Sequence, residues 1–172
     1  AALTTDSPLG SNSVMLHLVG YFMANLAVFG GIIAFYNMTG KEEISDFAGL
    51  GDAQPFLAAT ISIGLFSLAG FPFFAGFTTK FYLFAAAANE GLLWLAGLAI
   101  FNSLVSLYYY LMVVRQMYLE PMPVQNSELK HESISPVMIG VLGLLVAGIV
   151  FVGVYPDPIV QAASAATAAI LP

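Results

Sequence analysis

Leu65-Phe66-Ser67-Leu68-Ala69-Gly70-Phe71-Pro72-Phe73-Phe74-Ala75-Gly76-Phe77-Thr78-Thr79-Lys80-Phe81-Tyr82-Leu83-Phe84 is the stretch on which the fold of this chain turns. It is apolar almost throughout, yet it carries one charge and one helix breaker. No Asp, Glu, Lys or Arg occurs between Asp52 and Lys80, and the next charge is Glu90. Desolvating an ammonium is expensive, so a lysine in such surroundings is a functional-site candidate by default. Pro72 lacks an amide hydrogen and clashes with the preceding turn. Gly70 and Gly76 permit unusual backbone angles. Charge and break fall within a few residues of each other.

Working outward, four apolar stretches are long enough to cross a bilayer, which takes roughly 20 residues. They run over residues 13–38, 55–89, 92–118 and 134–155. Polar, turn-prone segments over residues 39–54 and 120–133 separate most of them, with Asn89, Glu90 and Gly91 as a short turn between the second and third, and residues 156–172 read as an Ala-rich tail lying at the interface or docked on a neighbour. The second stretch is too long. As one helix it would measure about 52 Å, against a hydrocarbon core of about 30 Å. It is either a hairpin of two short spans or one span broken near Gly70–Pro72. The broken span places Lys41, Arg115 and Lys130 on one side, as the positive-inside rule prefers; the hairpin puts Lys41 opposite the other two. The expected fold is therefore all-α and integral to the membrane, one transmembrane unit of four segments with the second discontinuous. Irregular backbone at that depth is tolerated where protein or a hydrated cavity satisfies it, and such breaks form ion sites in transporters.

Composition agrees and excludes other classes. The chain is 59% hydrophobic and 8% charged, with mean hydropathy +0.88, whereas soluble domains carry about 25% charged residues. Apart from Lys80, every charge falls at a segment end or in a loop. A net charge of −6 without a basic stripe argues against nucleic acid as a partner. With no cysteine, disulfides and thiolate clusters are excluded. Glu42, Glu43, Asp46 and Asp52 show no metal-ligand spacing and read as a solvated loop. No phosphate-binding glycine loop, His pair at metal spacing or serine-nucleophile turn is present. No basic segment precedes the first apolar run, which is therefore expected to be a span and not a signal peptide. With Ala at position 1, a processed chain or a piece of a longer one is expected.

The remaining candidates each admit two readings. Lys80 is either a proton relay, since a desolvated lysine can load and release a proton near neutral pH, or an interfacial lysine that snorkels to headgroups. His17, Tyr21 and Asn25 share one helix face at spacing four; they line a polar path or serve as interhelical hydrogen-bond glue. For His17 alone, a backbone-bonded histidine near the surface is the plainer reading. Asn102 and Ser106 either share a hydrated channel with Lys80 or belong, with Tyr108, Tyr109, Tyr110 and Tyr118, to an interfacial belt. Gly140, Gly143, Gly148 and Gly153 suggest close helix packing.

The run Phe66 to Pro72, continued by Ala75 to Phe84, resembles the broken-helix segment of the antiporter-like subunits of respiratory complex I. It is closer to the N-type subunit, or NADH dehydrogenase subunit 2, whose pattern reads SLAGIPP…AGFxGKFYLF. Gly20 to Phe29 resembles the preceding helix. Asp46-Phe47-Ala48-Gly49-Leu50 resembles a DFRGL loop, and Asn102-Ser103 through Leu111 resembles an NSVISLYYYL helix. The four motifs stand in family order between about residue 14 and residue 160. Phe73 departs from a second proline, which predicts a milder break, and Thr79 departs from a glycine.

This resemblance implies the last four helices, the eleventh to fourteenth, of a fourteen-helix fold. Lys80 then matches the lysine of the second broken helix, in the repeat associated with proton exit. It implies a membrane-arm subunit of a proton-pumping NADH–quinone oxidoreductase in an energy-transducing membrane. Such a chain binds no cofactor; NADH, FMN, iron–sulfur clusters and quinone belong to other subunits. Its partners are other complex I membrane-arm subunits and the bilayer. The other charges of the family's central axis have no counterpart here, so the chain alone is not expected to transport protons. A subunit of a related cation/proton antiporter or membrane-bound hydrogenase is the alternative, and a non-transporting membrane scaffold a second.

Overall fold

The computed structural model describes residues 8–122 and 133–170, and the regular structure there is helical. Helix α1 spans Pro8–Thr39, α2 Leu50–Ala53, α3 Pro55–Ala69, α4 Ala75–Asn89, α5 Leu93–Leu119, α6 Pro136–Val154 and α7 Asp157–Ile170. Among the described residues, three helices are long and apolar enough to cross a membrane: Gly10–Thr39, Leu93–Leu119 and Pro136–Val154. Helices α3 and α4 have 15 residues each, about 22 Å, so neither reaches across alone.

The packing register shows how these two halves are related. Gly31 of α1 sits against Leu57 and Ile61, while Gly64 lies against Val28 and the Ala24 carbonyl. Further along, Gly20 meets Ala75 and Thr79, and His17 bonds Thr79. Residue numbers rise through α3 and α4 as they fall through α1. The two halves therefore follow one another antiparallel to α1 and do not fold back as a hairpin. Helix α5 returns along them, with Ser103 at Lys80 and Tyr118 at Gly51. Helix α6 lies antiparallel to α1, with Leu142 at Gly30 and Gly148 at Met23. After Pro156 the chain reverses, and α7 docks on the start of α1 through Asn12–Ser164 (2.9 Å) and Thr167–Met15 (3.5 Å).

The break begins with a left-handed glycine. Gly70 has φ 87°. Its amide donates to Ser67 O, and Phe71 N donates to Phe66 O at 2.9 Å. These two bonds and the Phe66–Phe71 ring contact at 5.2 Å make a Schellman closure, which satisfies carbonyls that the helix end would orphan. Pro72 prevents the helix from resuming at once. The missing second proline does not keep the helix continuous: Gly70 to Phe74 all leave it. Phe73, where the family pattern has that proline, takes φ 73°, a conformation that disfavours bulky residues by about 1–2 kcal/mol. Helix α6 holds it there. Gly153 lies directly under the Phe73 carbonyl, and Thr78 Oγ1 donates to Gly153 O at 2.8 Å.

Two sequence expectations need correction. The 39–54 segment is not simply a solvated loop. Phe47 and Leu50 are buried, and Phe47 stacks on Phe35 with ring centroids 4.1 Å apart. Taking a phenylalanine out of water contributes about 1.5–3 kcal/mol, so this short segment plugs one end of the bundle. The same end holds the close of α5, since Gln116 Nε2 donates to Ser45 O at 3.3 Å; Lys41 and Arg115 thus share an end, while Lys130 lies outside the described residues. In α6 only part of the glycine stripe packs closely. Gly148 and Gly153 do, against Met23 and Phe73, whereas a Cβ on Gly140 or Gly143 would meet nothing within 4 Å.

Candidate functional site

Ser67 and Gly76 clasp the two half-helices. Ser67 is fully buried in the last turn of α3, and its Oγ accepts the Gly76 amide at 3.0 Å. That amide belongs to the first turn of α4, where no intrahelical acceptor exists. Gly76 lies so near Ser67 that an added Cβ would overlap the Ser67 carbonyl. One hydroxyl therefore joins the end of one half-helix to the start of the next.

Lys80 stands one turn beyond the clasp and reaches back across the break. Its Nζ donates to Leu68 O at 2.8 Å and to Ser103 Oγ at 3.3 Å. The Leu68 carbonyl is one of those freed at the end of α3, where the helix dipole presents its negative end. A cation is therefore stabilised there without a counterion. Among the described residues no carboxylate pairs with Lys80; Arg115 and Glu120 form an ion pair of 3.1 Å, but at the surface.

Two cavities meet at Lys80. One, of about 130 Å³, is lined by His17, Tyr21, Ser67, Lys80 and Tyr110 together with small residues of α1 and α4. A water occupies about 30 Å³ in the liquid, and this cavity offers several polar partners, so it has the size and lining for a few waters. The other, of about 400 Å³, is walled by phenylalanines of the break and α4 and by Ile100, Leu104 and Leu107 of α5. The lysine thus separates a polar pocket from an apolar one.

The structure gathers some of the candidates from sequence and not others. His17 Nδ1 lies 3.1 Å from Thr79 Oγ1, and its ring stands 6.2 Å from that of Tyr21. Asn25 turns its amide onto the Tyr21 carbonyl at 2.8 Å and does not line the cavity. Asn102 is exposed. Ser106 donates to Asn102 O and accepts from Tyr109, away from Lys80. Gly70, Pro72 and Gly76 are at the break. Ser67, Thr79, Ser103 and Tyr110 complete the site, although none of the four was placed beside Lys80 from sequence: Ser103 and Tyr110 read as part of the polar and aromatic patch of the third span, and Thr79 as a departure from the family pattern. Ser67 carried the clearest signal, as a hydroxyl in the last turn before a glycine, where such groups reach free backbone. Among the described residues no group of three or more His, Asp or Glu side chains gathers as a metal site would require.

Residues 1–106 match the NADH:quinone oxidoreductase/Mrp antiporter transmembrane family. The chain is 39% identical over 163 residues to NADH-quinone oxidoreductase subunit N of Moorella thermoacetica, covering 91% of this chain and 32% of that protein. It thus spans about a third of the length of the curated relatives it matches. Among solved structures, a chain of an archaeal membrane-bound sulfane sulfur reductase superposes with TM-score 0.78 at 27% identity, covering 93% of this chain and 32% of that one. A chain of the Mrp complex from a Dietzia species superposes with TM-score 0.80 at 19% identity, covering 94% and 38%; that likeness concerns the fold.

Proposed function

The chain belongs to the NADH:quinone oxidoreductase/Mrp antiporter transmembrane family, and from that premise we propose that it is the C-terminal part of an N-type subunit of a proton-pumping NADH–quinone oxidoreductase, with Lys80 as a proton relay. In this reading α3 and α4 together make a fourth crossing, and the chain supplies the last four helices of a fourteen-helix subunit, with α7 at the membrane interface. Quinone reduction takes place elsewhere in the complex, on subunits that hold NADH, FMN and iron–sulfur clusters. The neighbouring partners are other membrane-arm subunits.

One observation carries the proposal. Lys80 is a cation that no carboxylate among the described residues pairs, held on a freed helix carbonyl inside a broken helix, and it borders a cavity lined by His17, Tyr21 and Tyr110. A lysine kept only for its stem would turn its ammonium outward to headgroups. This one bonds inward, which counts against a passive scaffold. His17, Tyr21 and the bordering cavity supply groups through which a proton can reach or leave it. Among the described residues no hydrogen bond joins Asn25, Asn102 or Ser106 to Lys80, and they take no part in this reading.

In the complete complex, Lys80→Ala is expected to assemble and to lose most of its pumping-coupled quinone reductase turnover. Wild-type turnover in an assembled variant would count against the relay. The likeness to the sulfane sulfur reductase chain favours one other host, a membrane complex with a different electron donor. Genes for nucleotide- and flavin-binding subunits beside this one would favour the NADH-linked reading, and their absence the other.

A further inference from the structure

Thr79 is fully buried next to Lys80, yet its hydroxyl serves α1. Its Oγ1 lies 3.1 Å from His17 Nδ1 and 3.5 Å from the Gly76 carbonyl. Its methyl side fills the space left by Gly20, where an added Cβ would stand 3.1 Å from Thr79 Cγ2. The residue therefore has two separable jobs, one of shape and one of hydrogen bonding.

The hydroxyl has a single proton and two places to send it. Donated to Gly76 O, it leaves the oxygen to accept from His17 Nδ1–H, and Nε2 is then a free acceptor. Turned toward Nδ1, it makes that nitrogen the acceptor, and the ring proton sits on Nε2. Nδ1 is engaged in both states. Among the described residues Nε2 has no protein partner, so it is the nitrogen left for the cavity that His17 shares with Lys80.

We propose that Thr79 is a positioning residue that holds the His17 ring through Nδ1 in either tautomer, so that Nε2 is the nitrogen His17 presents, as donor or acceptor, to the polar cavity beside Lys80. The titratable groups that share this cavity with His17 are Tyr21 from α1, Lys80 from α4 and Tyr110 from α5, while α3 contributes the Ser67 hydroxyl. The inference rests on the relay reading of Lys80.

The test compares Thr79→Val, which keeps the bulk against Gly20 and removes the hydroxyl, with Thr79→Ser, which keeps the hydroxyl. Proton pumping of the intact complex is followed across pH. Thr79→Val is expected to lower pumping about fivefold near neutrality, the loss of one ordinary hydrogen bond, and to displace the pH profile. Thr79→Ser is expected to retain the wild-type profile. In a His17→Leu background the valine should add nothing, because the two residues act as one unit. If Thr79→Val does not assemble, Thr79→Ala serves in the same comparison. A wild-type profile for the valine variant, equal losses in the valine and serine variants, or a full valine effect without His17 would each overturn the inference. Normal pumping by Lys80→Met would remove the relay reading itself, whereas an impaired Lys80→Met beside a normal Thr79→Val would remove the inference alone.

Discussion

Replacing Gly76 by alanine tests how the two half-helices are held. The new Cβ would overlap the Ser67 carbonyl oxygen and stand 2.7 Å from its carbon and 3.3 Å from Ser67 Oγ. Two of these three atoms are backbone, so no rotamer change relieves the overlap and α3 and α4 must separate. Overpacking of this kind costs about 1–3 kcal/mol. Separation also breaks the Gly76 N–H bond to Ser67 Oγ and leaves a buried donor unsatisfied, a further 1–3 kcal/mol or about that. Alanine's better helix propensity returns at most about 1 kcal/mol. The sum is a local destabilisation of about 1–6 kcal/mol, centred near 3. At 1.4 kcal/mol per decade, amide exchange in residues 70–80 should accelerate by about two orders of magnitude, since exchange reports local opening. The control is Gly97→Ala in α5, where a Cβ would meet nothing within 4 Å; it should leave exchange unchanged. Hydrogen-exchange mass spectrometry on the detergent-solubilised complex reads both. Equal exchange in the two variants would refute the clasp.

Two further substitutions separate strong contacts from weak ones. Ser103→Ala removes the longer of the two Lys80 bonds, 3.3 Å against 2.8 Å for Leu68 O, and should leave proton pumping within about twofold of wild type; a tenfold loss would mean that α5, not the end of α3, holds the ammonium. Arg115→Ala breaks an ion pair whose side chains are 69% and 38% exposed, and exposed pairs contribute about 0–1 kcal/mol. The thermal midpoint of the complex should not move measurably, and a clear drop would show that Arg115 has a role beyond Glu120.

The spans were legible because long apolar runs and their flanking turns are strong signals. The second run also announced its break through Gly70 and Pro72, since a left-handed glycine followed by proline ends a helix whatever surrounds it. The partners across that break were not legible. Helices α1, α3 and α5 are apolar nearly all round, so no polar stripe marks which face turns inward. Tyr110 therefore read as one of the belt tyrosines, although Tyr108 is outside and Tyr110 lines the cavity. Asn102 and Ser106 read as candidates to share a channel with Lys80 because they stand four residues apart on one face, while the helix turns Ser103 to the lysine instead. Thr79 stood out only as a departure from a family glycine. Its contact with His17 joins residues 62 positions apart, a pairing set by packing of α4 on α1 that no local pattern encodes. The 39–54 segment misled for a simpler reason: its carboxylates hid buried apolar residues, Phe47 and Leu50 the largest of them.

The central claim is that Lys80 carries protons, and the proton-to-electron ratio of Lys80→Met in reconstituted complex tests it most directly. Methionine keeps the length and apolar character of the stem and removes only the titratable group. The ratio should fall below wild type, or coupled turnover should stall, in a complex that assembles normally. A wild-type ratio at wild-type turnover would contradict the relay and leave Lys80 as a cap on the end of α3.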